Sequence, residues 1–362
     1  MSKAKKPLVV AITCVGGRLI YDFVAALRAA EDFEAVILGI DADPTAQGRL
    51  LCDRFETLPI AEKAPEQYMA GLRRLHAEMK IDVFVALSEG ESRLIAAHRD
   101  ELLALGLRPS VSPRDVVSTM TDKLLLLRKL TEEGIDVGRF AEVNSREQAR
   151  AALAELGYPR DRVVLKPRDG RGSRGVLIAD GGETVFRRLL PERFCGTGDF
   201  DALVGAMADE GMPFTNLIAV PYYDGPVYDV DCIAIKGAVV DVAARLRQLR
   251  NPVWPTSTGH RIAMEPHVLD YARALGRALA IDGAGDFDIV VIDGKRPLLF
   301  DAGARFSGSI GGSFTAGYNF PAQLVRVLMG MPRREYAIED GCVLRPYITM
   351  ARIPSKNQHD LL

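Results

Sequence analysis

The chain has 362 residues, of which 48% are hydrophobic and 26% charged, and its formal net charge is −2. Two or three domains with a substantial core fit this length, and the balanced charge argues against nucleic acid or a membrane as a partner. We expect no membrane span and no signal peptide, since no apolar run approaches ~20 residues. Five scattered cysteines without a Cys-x-x-Cys pair favour free thiols in a reducing cytoplasm over a disulfide scaffold or zinc site.

The first 112 residues alternate between short apolar runs and stretches of helical periodicity. The apolar runs predict buried strands, and the periodic stretches predict helices that pack against them. The strands are expected at 8–13, 35–40 and 83–87, and the helices at 19–30, 68–79 and 91–105. This order predicts an α/β fold with a doubly wound parallel sheet, in a Rossmann-like domain over residues 1–112.

Two features of this domain have two interpretations each. The Gly16-Gly17 turn is either a packing turn or part of a dinucleotide site, although the full Gly-x-Gly-x-x-Gly pattern is absent. Glu89 and Glu91 follow the third strand, at the edge where such sheets bind ligands. They are candidates for holding a substrate amine, and capping of the next helix by Glu91 is the simpler alternative.

A glycine-rich loop at residues 168–176 carries the strongest functional signal of the sequence. It follows a predicted strand at 163–165 that ends in Lys166-Pro167, and a return strand is expected at 176–178. Glycines let backbone amides approach an anion closely, and the loop and its base also supply a hydroxyl and three cationic side chains. This composition predicts phosphate binding, but not a Walker loop, because no Gly-Lys-Ser/Thr opens a helix.

Helices are predicted before and after the glycine-rich loop, at 123–133, 145–156, 267–279 and 322–329. A hairpin is expected between strands at 287–292 and 298–301, because Asp293-Gly294 is a strong turn signal. If Ile292 pairs with Arg296, Asp288 and Asp301 share one face. Two carboxylates there fit a Mg²⁺ ion that also takes phosphate oxygens. The alternative is that strand-end aspartates are solvated, as we expect for Asp286 and Asp293.

Several basic residues near this hairpin are candidates for anion binding. Arg305 lies among small residues, which predicts a close-fitting anion pocket. Arg245 and Arg247 alternate along a predicted strand, so they either bind an acidic substrate or phosphate or line an exposed strand face. We expect His260 to be an ordinary surface histidine rather than a general base.

Taken in order, these features resemble the ATP-grasp superfamily. The Rossmann-like domain precedes Asp122-Lys123, the glycine-rich loop, Tyr222-Tyr223-Asp224-Gly225, the acidic hairpin and the 305–309 stretch Arg-Phe-Ser-Gly-Ser. The resemblance covers residues 8–332 and is greatest to the carbamoyl-phosphate-synthase-like branch, which holds many carboxylate–amine ligases. It implies an α+β ATP-grasp domain over 113–332, with a flap-bearing subdomain at 137–225, a catalytic subdomain at 226–332 and a C-terminal extension at 333–362.

The resemblance implies ATP and Mg²⁺ as cofactors and assigns the site residues. Lys123 and Lys166 match lysines that contact phosphates, Lys166 with a catalytic role, and Asp288 and Asp301 match metal-bridging acids. Arg305 matches the catalytic arginine that holds the acyl-phosphate region. The other implied contacts are Arg171, Gly172, Ser173, Arg174 and Gly175 in the flap, Val220, Pro221 and Tyr222 in the adenine hinge, and Ser307 and Ser309 beside the substrate.

In enzymes of this kind ATP phosphorylates a carboxylate, and an amine then displaces the phosphate to form an amide. The implied partners are small carboxylates and amines of amino-acid type. A homodimer is compatible with the resemblance, because dimers are common among such proteins.

Three positions depart from the family pattern. Gly303 stands where the family has an asparagine that binds a second Mg²⁺ ion, Pro221 replaces a hinge glutamate, and Val227 replaces the ribose-binding acid. These departures leave open a catalytically degenerate protein that binds nucleotide in a regulatory or scaffold role. A dinucleotide-dependent oxidoreductase is a third interpretation, but no fitting catalytic constellation follows residue 112.

Overall fold

A computed structural model describes residues 5–17, 20–169, 175–190, 193–211, 214–247 and 259–345, with the backbone alone at 188–190 and 193–194. Three sheets follow one another along the chain. The strands of the first sheet are β1 (Lys6–Thr13), β2 (Phe33–Asp41), β3 (Arg54–Thr57), β4 (Val83–Val85) and β5 (Arg108–Pro109). Its helical segments are α1 (Ile20–Arg28), a 3₁₀ turn (Gln47–Leu51), α2 (Pro65–Met79), α3 (Glu89–Ala97) and α4 (Arg99–Ala104).

All five strands of the first sheet are parallel, in the order β3-β2-β1-β4-β5. The doubly wound parallel sheet predicted from the sequence is therefore confirmed. The helix predicted at 91–105 is wrong in one respect, because it is divided at His98 into α3 and α4. Strands β3 and β5 were not predicted.

The second sheet belongs to the segment that carries the glycine-rich loop. Its elements are α5 (Arg114–Met120), α6 (Lys123–Glu132), β6 (Ala141–Val143), α7 (Arg146–Leu156), β7 (Val163–Pro167), β8 (Val176–Ala179), β9 (Val185–Leu190), β10 (Arg193–Gly198), α8 (Phe200–Asp209) and β11 (Leu217–Pro221). The strand order is β6-β11-β7-β8-β10-β9. Strands β7 and β8 form the expected antiparallel hairpin, with Leu165 opposite Leu177.

The third sheet is antiparallel throughout, in the order β16-β15-β12-β13-β14-β17. Its elements are β12 (Val227–Ile235), β13 (Ala238–Arg247), β14 (His260–Ile262), α9 (Pro266–Ala278), β15 (Gly283–Ile292), β16 (Arg296–Gly303), α10 (Gly311–Thr315), α11 (Phe320–Leu328) and β17 (Val343–Leu344). Asp293 and Gly294 both have positive φ, as the Asp-Gly turn signal predicts, and Ile292 pairs with Arg296.

The apolar cores show how the sheets are joined. Phe23 and Leu27 of α1 share one buried cluster with Phe306, Phe320 and Leu324, so the first sheet and the third are packed together. The second sheet has a separate cluster, built around α7, α8 and β7. The first and third sheets therefore form one packed unit. No described helix is long and apolar enough to cross a membrane.

Candidate functional site

The start of α6 is tied to the base of the glycine-rich loop. The backbone N–H of Lys123 donates to the carbonyl of Arg168 (2.8 Å), and the Arg168 guanidinium donates to Asp122 (2.7 Å). Asp122 in turn caps α6 by accepting from the amide of Leu124 (2.9 Å), which satisfies one of the helix's free N–H groups. The arrangement therefore places Lys123 next to the strand that carries Lys166.

Both lysines reach the third sheet. Nζ of Lys123 lies 3.2 Å from Oδ1 of Asp301, and Nζ of Lys166 donates to the carbonyl of Phe300. A β-bulge in β16 makes that carbonyl available, because the register shift between β15 and β16 leaves Phe300 without a partner. Burial lowers the pKa of Lys166 to about 8, and the nearby Lys123 charge adds to this effect while Asp301 opposes it.

The lysines line one pocket together with apolar side chains and the end of β11. The remaining lining residues are Leu126, Leu127, Val137, Val220, Tyr223, Leu299 and Phe300. The pocket therefore combines a mostly apolar lining with two cationic side chains. Among the proposed hinge residues, Val220 lines this pocket, whereas the Tyr222 amide donates to Arg162 (2.9 Å) and its ring stacks under the Arg162 guanidinium.

A row of three aspartates crosses the third sheet. Asp229, Asp288 and Asp301 lie directly opposite one another on β12, β15 and β16, so their side chains share one face. Nη2 of Arg247 donates to Oδ1 of Asp288 (2.7 Å), Nε of Arg247 donates to Asp229 (2.7 Å), and the His260 ring nitrogen lies 2.6 Å from Asp229. The predicted common face of Asp288 and Asp301 is confirmed.

Burial and the neighbouring carboxylates set the charge of this row. Burial raises the pKa of Asp288 to about 7; Arg247 opposes the shift, while Asp229 and Asp301 add to it. Burial alone would raise the pKa of Asp229, but Arg247 and His260 hold it below its ordinary value. A cation beside Asp288 and Asp301 would relieve the repulsion between them.

A second row lies on the same face, two residues away from the first row on each strand. It consists of Asp231, Asp286 and Gly303. Nη1 of Arg305 donates to Oδ2 of Asp286 (2.6 Å), and Nη2 lies 3.6 Å from Oε1 of Glu89, the first residue of α3. Glu89 and Arg305 are both partly accessible, with side chains 11% and 22% exposed. The first sheet thus contributes an acid directly beside the arginine.

Arg245 lies at the centre of a buried polar cluster. Its side chain is fully buried and donates to Asp231, to Oγ of Ser307 (2.7 Å) and to Oγ of Ser313 (3.0 Å). Ser307 also donates to Asp231 through its amide and its hydroxyl (both 2.7 Å), and Ser309 lies 3.3 Å from Ser307. The cluster holds the start of the loop that carries Arg305.

The structure corrects three expectations from the sequence. Asp286 is buried and bound to Arg305 rather than solvated. His260 is buried against Asp229 rather than at the surface. The strand face of Arg245 and Arg247 is not exposed, since both side chains are buried among aspartates. For His260, Arg245 and Arg247 the acids of β12 provide the partners, and only the Asp-x-Asp alternation at 229–231 signals these acids in the sequence.

The flap residues Arg171, Gly172, Ser173 and Arg174 lie outside the described residues. Gly175, which follows them, has a φ of +76°, a conformation that glycine adopts readily. The flap assignment therefore remains a prediction from the sequence.

The residues present fit one Mg²⁺ ion, with Asp288 and Asp301 as carboxylate ligands. Mg²⁺ is commonly bound through one or two carboxylates together with substrate phosphates. Gly303 offers no side-chain ligand for a second ion. Within the part of the chain that the structure describes, no group of three or more His, Cys, Asp or Glu residues is arranged to hold a metal.

The fold is shared with several enzymes of known structure. An L-amino acid ligase from Bacillus licheniformis is 18% identical, with a TM-score of 0.63 over 90% of this chain and 75% of the other. The ADP complex of PurK, an N5-carboxyaminoimidazole ribonucleotide synthetase, is 15% identical, with a TM-score of 0.65 over 93% and 81%. A biotin carboxylase from Campylobacter jejuni is 16% identical, with a TM-score of 0.61 over 91% and 73%.

The chain therefore has the same fold as these enzymes. Residues 213–347 also match a family model described as ATP-grasp in the biosynthetic pathway with Ter operon. No curated protein sequence matches the chain.

Proposed function

We propose that this protein is an ATP-dependent carboxylate–amine ligase. The observation that supports this most is that Lys123 and Lys166 line one pocket, while Lys123 also pairs with Asp301, which faces Asp288 on the adjacent strand. Two cations and two facing carboxylates, close to an apolar cleft, suit the triphosphate and the base of one nucleotide. The ligase fold neighbours favour this activity.

The proposed reaction has two steps. A carboxylate oxygen of the acid substrate attacks the γ-phosphorus of ATP, and ADP leaves with the electrons of the broken P–O bond. The amine nitrogen then attacks the carbonyl carbon of the acyl phosphate, inorganic phosphate leaves, and the nitrogen loses a proton. Catalysis of such steps depends mainly on positioning and on charge stabilisation.

Each side chain has a role in the proposed reaction that follows from its position in the site. Lys123 and Lys166 bind phosphate oxygens, and Lys166 gains most from an anion because burial disfavours its charged form. A Mg²⁺ ion held by Asp288 and Asp301 would neutralise charge on the phosphates when bound. Arg305 holds the carboxylate of the acid substrate, and Glu89, 3.6 Å from it, attracts a substrate ammonium group.

The experiment is an ADP-release screen of the protein with ATP, Mg²⁺ and pairs of amino acids and small carboxylates. Hydroxylamine replaces the amine in a parallel reaction, because it traps an acyl phosphate as a hydroxamate that mass spectrometry identifies. ADP and a hydroxamate from the same acid support the ligase. Formation of AMP, or ADP release without any hydroxamate or amide, would contradict it.

A specific observation favours a second function, a nucleotide-binding regulatory protein. Asp288 and Asp301 already have Arg247 and Lys123 as partners, and Gly303 contributes no ligand. A degenerate site of this kind would bind ATP or ADP without turnover. Calorimetric binding of ADP together with silence across the whole substrate screen would select this alternative.

A further inference from the structure

The guanidinium of Arg305 lies directly over Gly303. A Cβ atom placed on Gly303 would be 3.2 Å from both Cζ and Nη1 of Arg305 and 3.5 Å from Nη2. Any side chain at position 303 would therefore press on the guanidinium. The glycine leaves a space on the strand, and the arginine fills it.

The position of Arg305 is determined by its partners as well as by this space. One edge of the guanidinium donates to Asp286 (2.6 Å) and to the carbonyl of Phe306 (3.0 Å), and the other faces Glu89. Asp286 is 8% exposed, so its negative charge is expensive without a cation beside it. The row of Asp231, Asp286 and Gly303 is thus compensated by two fixed guanidinium groups, those of Arg245 and Arg305.

The neighbouring row is more accessible. Asp288 and Asp301 face each other on adjacent strands, and their partners among the described residues are Arg247 and Lys123. Their side chains are 22% and 33% exposed, against 12% for Asp286. The remaining oxygen of Asp286, Oδ1, has no hydrogen-bond partner but is sealed from solvent. A cation would reach that oxygen only if neighbouring side chains moved.

We propose that the site takes a single divalent cation, held by Asp288 and Asp301, and that the Arg305 guanidinium over Gly303 supplies the charge that a second cation would bring. This inference rests on the proposed binding of ATP. Guanidinium matches the geometry of phosphate and carboxylate oxygens and stays charged at every working pH. Position 303 is then a glycine because the Arg305 guanidinium needs the space that a side chain would fill. The glycine does not mark the loss of a metal ligand.

The test is a count of bound Mn²⁺ ions per chain in the presence of a saturating non-hydrolysable ATP analogue. The electron paramagnetic resonance signal of free Mn²⁺ gives this count without any turnover. We expect one ion per chain for the unmodified protein. Two ions, or none, would overturn the proposal.

The Gly303→Asn variant provides a second measurement. Its side chain displaces the guanidinium and adds an oxygen ligand, so we expect the count to rise to two. Gly308→Asn is the matched control, because a Cβ there meets nothing within 4 Å, and its count stays at one. A count of one in Gly303→Asn with the analogue bound would contradict the proposal.

The outcome is separable from that of the ligase proposal. One Mn²⁺ ion bound with the analogue, but no ADP release with any substrate pair, would refute the ligase and leave the single-cation site standing. Two ions with full turnover would do the reverse.

Discussion

Nζ of Lys123 lies 3.2 Å from Oδ1 of Asp301, which joins the first turn of α6 to the last strand of the acidic hairpin. The contact connects the segment before the glycine-rich loop to the third sheet. Lys166 makes the adjoining contact, to the carbonyl of Phe300. Three separate segments of the chain therefore meet at the proposed phosphate site.

The two lysines are expected to account for much of the nucleotide affinity. Lys123→Ala and Lys166→Ala each remove a charge-assisted contact, so the dissociation constant for ADP should rise by about 10- to 100-fold. Isothermal titration calorimetry measures the change. Lys129→Ala is the control, since Lys129 lies on the same helix and pairs with Glu133 at the surface. Equal affinity of Lys123→Ala and Lys129→Ala would refute the assignment.

The facing carboxylates are expected to determine the Mg²⁺ dependence of nucleotide binding. Asp288→Asn and Asp301→Asn each remove an anionic ligand, and the Mg²⁺ concentration for half-maximal binding of an ATP analogue should rise by at least about 10-fold. A Mg²⁺ titration at fixed analogue concentration measures this. Asp293→Asn in the turn of the same hairpin should change nothing, because Asp293 is exposed and asparagine tolerates its φ of +52°.

The buried Arg245 cluster is expected to contribute strongly to stability. Arg245→Ala leaves Asp231 buried with only Ser307 as a partner, and removing one member of a buried ion pair costs about 3–5 kcal/mol. Urea unfolding measures the loss. Arg261→Ala, on the exposed side of β14, should stay within about 0.5 kcal/mol of the parent protein. A loss equally small in Arg245→Ala would show that the cluster is not fully formed.

An ion pair between the first and third sheets predicts a pH effect. Arg326, 1% exposed, donates to both oxygens of Asp32 (2.9 and 2.8 Å), and these hydrogen bonds hold the pKa of Asp32 below its ordinary value of 3.8. Asp32→Asn should therefore lower the free energy of unfolding by about 1.5–3 kcal/mol at pH 7.

The sign of the pH dependence follows from the lowered pKa. The stabilisation from Asp32 is fully present above pH 3.8 and is lost as the pH falls through the pKa of the folded state, so the difference between parent and Asp32→Asn should shrink below that pH. Unfolding by urea at a series of pH values tests this. Glu31→Gln is the matched control, because Glu31 is largely exposed and pairs only with Arg334 at the surface. A difference that stays constant down to pH 3 would contradict the assignment.

Strong local patterns account for the elements that the sequence predicted. Continuous apolar runs mark β1 and β2, and the Asp-Gly turn marks the β15–β16 hairpin together with its register. The missed elements lack such patterns. Strand β5 has two residues, and β10 contains Gly196 and Gly198, which weaken any strand signal. Their partners lie far away in the chain, so pairing rather than local sequence makes them strands.

The residues of the candidate site also fall into two groups, those that the sequence predicted correctly and those that it did not. Lys123, Lys166, Asp288 and Asp301 could be named because each lies near a local signal, which is the Asp122 cap, the glycine-rich loop or the Asp-Gly turn. Asp286 and His260 were misjudged because their burial depends on partners from other strands, Arg305 and Asp229. No local periodicity reports such a pairing. The position of the Arg305 guanidinium over Gly303 likewise becomes visible only in the three-dimensional structure of the strand and the loop after it.

The packing of α1 against Phe306, Phe320 and Leu324 has a consequence for the newly made chain. The ribosome makes α1 well before the stretch 306–324 that covers it. Until then the apolar side chains of Phe23 and Leu27 are not covered by these later residues. A nascent or truncated polypeptide that stops before residue 306 should consequently be a chaperone client, and the first sheet reaches its final packing only after residues 306–324 have been translated.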